Sequence, residues 1–146
     1  MHKVALRRWV VLCLSVLALS MTGCSKPDPL AQLEEEARLL ADNLDNKRTS
    51  KVMDQLHAQF HAQGSEYDRD WAKRTMTLLF LRHNNVHVLP LGVQNRVLSA
   101  ERGETTAQVT LAGAAQLLPN AASSYAVRLE WWREGDRWQL ARLTWE

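Results

Sequence analysis

The stretch VRLEWWREGDRWQLARLTW, Val127 to Trp145, decides how the rest of the chain is read. Apolar and polar residues alternate on both sides of EGDR, and Gly135-Asp136 has the composition of a tight two-residue turn, so the segment reads as a β-hairpin. With that loop Glu134 faces Arg137, Arg133 faces Trp138 and Trp131 faces Leu140, each a favourable cross-strand pair. Val127, Leu129 and Trp131 then share a face with Trp138 and Leu140. Regular alternation puts Arg128, Glu130 and Trp132 on the other face, together with Ala141, Leu143 and Trp145.

Upstream of the hairpin the period stays at two. Thr105 to Ala112 sets Ala107, Val109 and Leu111 against Thr106, Gln108 and Thr110, as a strand with one buried face does. Ser123 to Arg133 and Arg137 to Trp145 are the hairpin strands. Val86 to Val93 is a further strand, and Pro90, which cannot donate to a ladder, confines it to an edge or a bend. Before Asn84 the period is helical. Asp28 and Pro29 form an N-cap with proline in the first helical position. Leu30, Leu33, Ala37, Leu40 and Leu44 make one apolar stripe, and Glu34, Glu35 and Glu36 fall on its solvated side. Val52, Met53, Leu56 and Phe60 predict a second helix capped by Thr49 or Ser50 and ended by Gly64. Ser65 and Asp68 lead into DWAKRTMTLLFLRH, where Trp71, Ala72, Met76, Leu79 and Phe80 make the third helix the most buried of the three. The expected class is α+β: three N-terminal helices packed on a curved antiparallel sheet of about four strands.

This order, with VMDQLHAQF in the second helix and the closing hairpin, resembles the nuclear transport factor 2-like superfamily over about Leu30 to Glu146. The resemblance implies a cone whose cavity lies between the helices and the concave sheet face, lined by Trp71, Phe80, Tyr125, Leu129, Trp131 and Leu140. It implies no single reaction, because the fold hosts isomerases, dehydratases, cyclases and plain binding modules. It also implies an outer sheet face used for pairing, where Trp132, Ala141, Leu143 and Trp145 are expected to form an apolar patch and a homodimer interface.

The N-terminus has a different character. Lys3, Arg7 and Arg8 precede an apolar run, Trp9 to Met21, that is too short to span a bilayer and is laid out as a secretory signal. Ala18-Leu19-Ser20 suits an ordinary signal peptidase; Met21-Thr22-Gly23-Cys24 resembles a bacterial lipobox and is the preferred reading. On it residues 1–23 are a signal peptide, 24–29 a tether lipidated at Cys24, and 30–146 the domain. Of the two cysteines, Cys13 leaves with the signal, so Cys24 has no disulfide partner and serves as the anchor. Several acyl chains on one residue suffice for stable membrane attachment. Ser25, where an inner-membrane retention signal has Asp, points to the outer membrane with the domain in the periplasm.

At 146 residues the chain holds one domain beyond the signal. Its net charge of +2, from 18 Lys and Arg against 16 Asp and Glu, owes three cations to the signal; the remaining 15 leave the mature chain at −1, which argues against nucleic acid as a partner. His57 and His61 would share a helical face as metal ligands do, but Ala58 stands where a zinc-protease helix needs Glu, so polar histidines are expected and no metal. Acid–base chemistry of the ketosteroid isomerase kind needs a placed acid and an oxyanion donor such as tyrosine. Tyr125 takes the inner register, yet Glu130 takes the opposite one, and Asp68 and Asp70 begin a helix. The sequence is therefore read as a non-enzymatic binding module for an apolar small ligand or an envelope protein, without cofactor. The alternative is a small cavity enzyme of isomerase or dehydratase type.

Overall fold

The computed structural model describes residues 23, 25–83, 85, 87–112 and 123–146. Cys24 and residues 1–22, where the signal is expected, lie outside them, as does Val86. The Asp28 carboxylate accepts the Leu30 N–H at 3.2 Å and Pro29 opens α1 (Pro29–Asp45), as the sequence predicts. Leu33 and Leu40 are buried along its stripe. Arg48, rather than Thr49 or Ser50, stands at the start of α2 (Thr49–Gln55) without a side-chain cap. Two buried amides join these helices: Asn43 Nδ2 donates to Gln55 Oε1 at 3.0 Å, and Gln55 Nε2 donates to Glu36 Oε2 at 2.8 Å.

The first departure from the sequence reading comes at Leu56. Its backbone is extended, and Leu56–Ala62 forms a strand, β1, instead of continuing the helix. The helix end left behind is satisfied by two arginines: Arg69 Nη2 donates to the Met53 carbonyl at 2.8 Å and Arg137 Nη2 to that of Asp54 at 2.7 Å. A two-residue strand β2 (Tyr67–Asp68) follows, and Asp68 caps α3 (Arg69–Arg82) by accepting the Trp71 N–H at 2.7 Å. Only Ala72 and Met76 of α3 are buried, while Leu78, Leu79 and Leu81 are exposed, so this helix is not the most buried of the three. Because β1 and β2 intervene, the helices are not all N-terminal.

The remaining strands are β3 (His87–Ser99), β4 (Arg102–Ala112), β5 (Ser123–Glu134) and β6 (Arg137–Trp145). The six-stranded sheet, two strands larger than expected, has the order β2-β1-β6-β5-β4-β3. The β1–β6 pair is parallel and the others antiparallel. Pro90 lies on β3, an edge strand, where a missing donor costs nothing. The hairpin has the predicted register, Glu134 with Arg137, Arg133 with Trp138 and Trp131 with Leu140, and Gly135 supplies the positive φ of the turn.

One residue further on, the register shifts. Glu130 pairs with Arg142 while Trp131 pairs with Leu140, so Ala141 is a β-bulge with no partner on β5. An inserted residue reverses the faces of everything beyond it. Leu143 pairs with Leu129, Trp145 with Val127, and both pack against the core on the inner face. The expected outer patch of Trp132, Ala141, Leu143 and Trp145 therefore does not assemble.

The core lies between the inner face and α1. Trp131 is fully buried, Trp138 and Leu140 nearly so, and Leu33, Val52, Met53, Leu56 and Phe60 close around them. Trp131 Nε1 donates to Thr105 Oγ1 at 2.9 Å, which donates to Asn95 Oδ1 at 2.6 Å, so the buried indole is satisfied. Trp138 Nε1 reaches the Pro29 carbonyl at 3.1 Å, and Arg133 donates to Gln32 at 2.9 Å, which holds the start of α1 beside the hairpin. The other end of α1 reaches the start of β3, where Asp45 Oδ1 accepts the Val88 N–H at 3.1 Å. Between these ends α1 crosses β4 at Gly103, where a Cβ atom would stand 2.7 Å from Leu33 Cδ2.

Candidate functional site

Strand register divides the inner face into two halves. Toward the hairpin, Leu129, Trp131, Trp138 and Leu140 are sealed against α1 and α2. Toward the opposite end, Val109 and Leu111 of β4, Tyr125 and Val127 of β5, and Leu143 and Trp145 of β6 are only half-buried. This second half is the candidate site. Helix α3 borders it with Trp71 and Phe80, also half-buried and packed against the core.

Three rings form one wall. Tyr67 stacks on Trp71 with centroids 4.3 Å apart, and Trp145 lies nearly parallel to both, 6.0 Å from Tyr67 and 6.3 Å from Trp71. They come from β2, from the first turn of α3 and from the last residue of β6, so the wall exists only because the Ala141 bulge turns Trp145 inward. A hydrogen bond with Glu66 and that residue's charge hold the Tyr67 hydroxyl above its ordinary pKa. The described inward-facing residues of β4, β5 and β6 beyond Trp131 are Thr105, Ala107, Val109, Leu111, Tyr125, Val127, Leu129, Leu143 and Trp145. None carries a carboxylate or an imidazole.

The six residues predicted to line a cavity thus separate. Trp71, Phe80 and Tyr125 border the open half, whereas Leu129, Trp131 and Leu140 fill the closed half as core. Sequence reasoning missed Tyr67 as well as Trp145 and Leu143, whose face depends on the bulge.

The outer face is built differently. Trp132 there carries the Arg102 and Arg142 guanidiniums at 4.3 and 4.8 Å from its ring and donates Nε1–H to Glu130 at 2.6 Å. His57, buried beside Trp132, accepts the Gln59 N–H on Nδ1 at 3.0 Å; Nε2 therefore holds the proton and donates to Glu134, also at 3.0 Å. His61 Nδ1 meets the Gln59 carbonyl, so the two histidines do not converge on one point. No cluster able to hold a metal occurs among the described residues, and no helix among them is long and apolar enough to cross a membrane. An open groove of about 740 Å³ runs past Asp54, His57, Arg69, Glu134 and Arg137, but both arginines are engaged on the α2 carbonyls.

With the geometry in view, the architecture can be compared with known proteins. No family model matches the sequence, and no curated protein matches it. Solved structures do. Bdellovibrio bacteriovorus Bd1075 superposes with a TM-score of 0.66 at 12% identity over 77% of this chain, which spans 38% of that protein. A nuclear transport factor 2-like protein of unknown function from Pseudomonas putida gives 0.66 at 6% identity, covering 80% of this chain and 84% of that one. A dehydratase candidate of the same fold family from Streptomyces avermitilis gives 0.64 at 10% identity, covering 80% and 93%. The chain has the nuclear transport factor 2-like fold, mixed α+β with three helices on a curved sheet. At these identities the likeness concerns fold, and function rests on the site.

Proposed function

We propose that this chain is a non-enzymatic binding module whose open cone mouth takes an apolar small ligand or an apolar segment of an envelope protein. One observation carries the reading: an apolar wall, half-exposed at one end of the inner face, with an aromatic stack along its rim. Concave apolar surface with a few polar groups is what ligand sites are made of. The proposal includes the address. Cys24 is the lipidated residue of a secreted precursor, and the domain stands in the periplasm on the outer membrane.

A second reading, a small cavity enzyme, draws on the dehydratase named among the fold relatives and on the Tyr125 hydroxyl. It needs a carboxylate or imidazole beside that hydroxyl, and the described inward residues of β4, β5 and β6 supply none. Binding is therefore preferred. The test is a fluorescence titration with the apolar probe 1-anilinonaphthalene-8-sulfonate, comparing the wild type with Val109→Arg, which puts a long charged side chain into the mouth without touching the sealed core. Saturable binding by the wild type that weakens at least tenfold in the variant supports the reading. Equal binding by both, or none, refutes it.

A further inference from the structure

Four adjacent strands place one charged row across the outer face: Arg96 on β3, Glu104 on β4, Glu130 on β5 and Arg142 on β6. The two carboxylates stand directly opposite each other, an arrangement that repels unless cations surround it. They do. Arg96 and Arg128 both pair with Glu104, Arg128 at 3.3 Å, and Arg102 approaches Glu130 at 3.9 Å. The carboxylate of Glu104 is 11% exposed, whereas the side chains of Arg96 and Arg128 are 63% and 64% exposed. The acids thus sit among arginines, of which Arg96 and Arg128 are largely exposed.

Beside these arginines, on the same face, two large apolar side chains are exposed. Leu91 pairs with Gln108 and Leu89 with Thr110, and both partners lie in the outward register of β4. Leu89 is 47% and Leu91 62% exposed, on an edge strand of the sheet. The face therefore offers guanidiniums for oxyanions and two leucines for an apolar layer, side by side. We propose that the outer sheet face docks on an anionic membrane surface, with Arg96, Arg102 and Arg128 on lipid phosphates and Leu89 and Leu91 entering the interfacial region.

A lipid surface fits better than an acidic protein. Protein interfaces draw their affinity from aromatic anchors in desolvated pockets, and the one aromatic residue described here, Trp132, is already covered by two guanidiniums. Its neighbours Thr106, Gln108, Ser124 and Thr144 are polar and present no apolar pocket of their own in the outward register. A plane of phosphates demands charge but no matching shape. The docking face does not depend on the mouth being a binding site, nor on Cys24 being lipidated.

The test uses the full chain in its own cells, with photo-reactive benzoylphenylalanine replacing Gln108 on the outer face or Glu34 on the far side of α1. Lipid adducts at position 108 that exceed those at 34 at least fivefold are expected, and Leu89→Ser/Leu91→Ser should reduce them without touching the charge network. In vesicles of phosphatidylcholine the excess should vanish, and phosphatidylglycerol should restore it until salt is raised. Protein adducts at 108 would overturn the proposal in favour of an acidic partner. Equal lipid labelling at both positions would overturn it as well, since attachment elsewhere in the chain brings lipid to every face alike.

Discussion

Gly103 is where α1 lies closest to the sheet, and replacing it with alanine probes the packing that closes the cone. A Cβ at this position meets Leu33 Cδ2 at 2.7 Å and Leu33 Cδ1 and Trp138 Cζ3 at 3.3 Å. Leu33 and Trp138 are both buried, at 0% and 1% exposure, so neither can swing aside into solvent. Overpacking of this kind costs about 1–3 kcal/mol. Alanine also removes disorder from the unfolded chain, which offsets roughly 0.4–1 kcal/mol. The expected net loss is about 1–2 kcal/mol, read as a fall of roughly 1 M in the urea midpoint with an unchanged slope. Leu33→Ala alone should cost about 2–5 kcal/mol. In the double variant the new methyl occupies the space that Leu33 vacates, so the combined loss should fall short of the sum by about 1 kcal/mol or more. An unchanged midpoint in Gly103→Ala, or strict additivity of the two losses, would refute the account of how α1 seats on β4.

Deleting Ala141 removes the bulged residue and lets Arg142 follow Leu140 in unbroken alternation, so Leu143 and Trp145 keep their inner-face partners Leu129 and Val127; the variant should retain a cooperative near-ultraviolet transition, and loss of that transition would refute the face assignment. Thr105→Val leaves the buried Trp131 indole N–H without an acceptor and should cost about 1–3 kcal/mol in urea unfolding. The Asp45 carboxyl is held below its ordinary pKa, first by the Val88 N–H and then by His87, so its stabilising effect is complete above about pH 4 and is lost as pH falls through the lower folded value. Asp45→Asn should accordingly lie closer to the wild type at low pH than at neutral pH in thermal melts. Cys24→Ser should abolish incorporation of labelled palmitate and move the protein to the aqueous phase in detergent partitioning; N-terminal sequencing that finds cleavage after Ser20 would count equally against the anchor.

What the sequence made legible was local. The hairpin register follows from one Gly-Asp turn and alternating side chains, and α1 starts at the aspartate that caps it through a contact two residues away, whereas α3 is capped by Asp68 and not by Ser65 of the expected capping box. The errors concern partners far off in the chain. Leu56–Ala62 is a strand because β6, more than eighty residues later, pairs with it in parallel, with Leu56 opposite Leu140; Val52, Met53, Leu56 and Phe60 meanwhile have spacings that a helix would equally accept. The bulge at Ala141 has no signature of its own, because alanine fits either face. Of the residues named from sequence, Trp71, Phe80 and Tyr125 border the open half, while Leu129, Trp131 and Leu140 belong to the core. Trp145 was assigned to the wrong side, and the outer arginine cluster could not be recognised until four strands were set side by side.

Native mass spectrometry of the protein released gently from its own envelope tests the central claim most directly, because an occupied mouth adds a mass. The account predicts a bound small molecule, or one co-purifying partner, on the wild type, and its loss from Val109→Arg and from Trp145→Ala with the fold intact by circular dichroism. Protein of bare mass in every preparation, or a bound species retained equally by both variants, would contradict it.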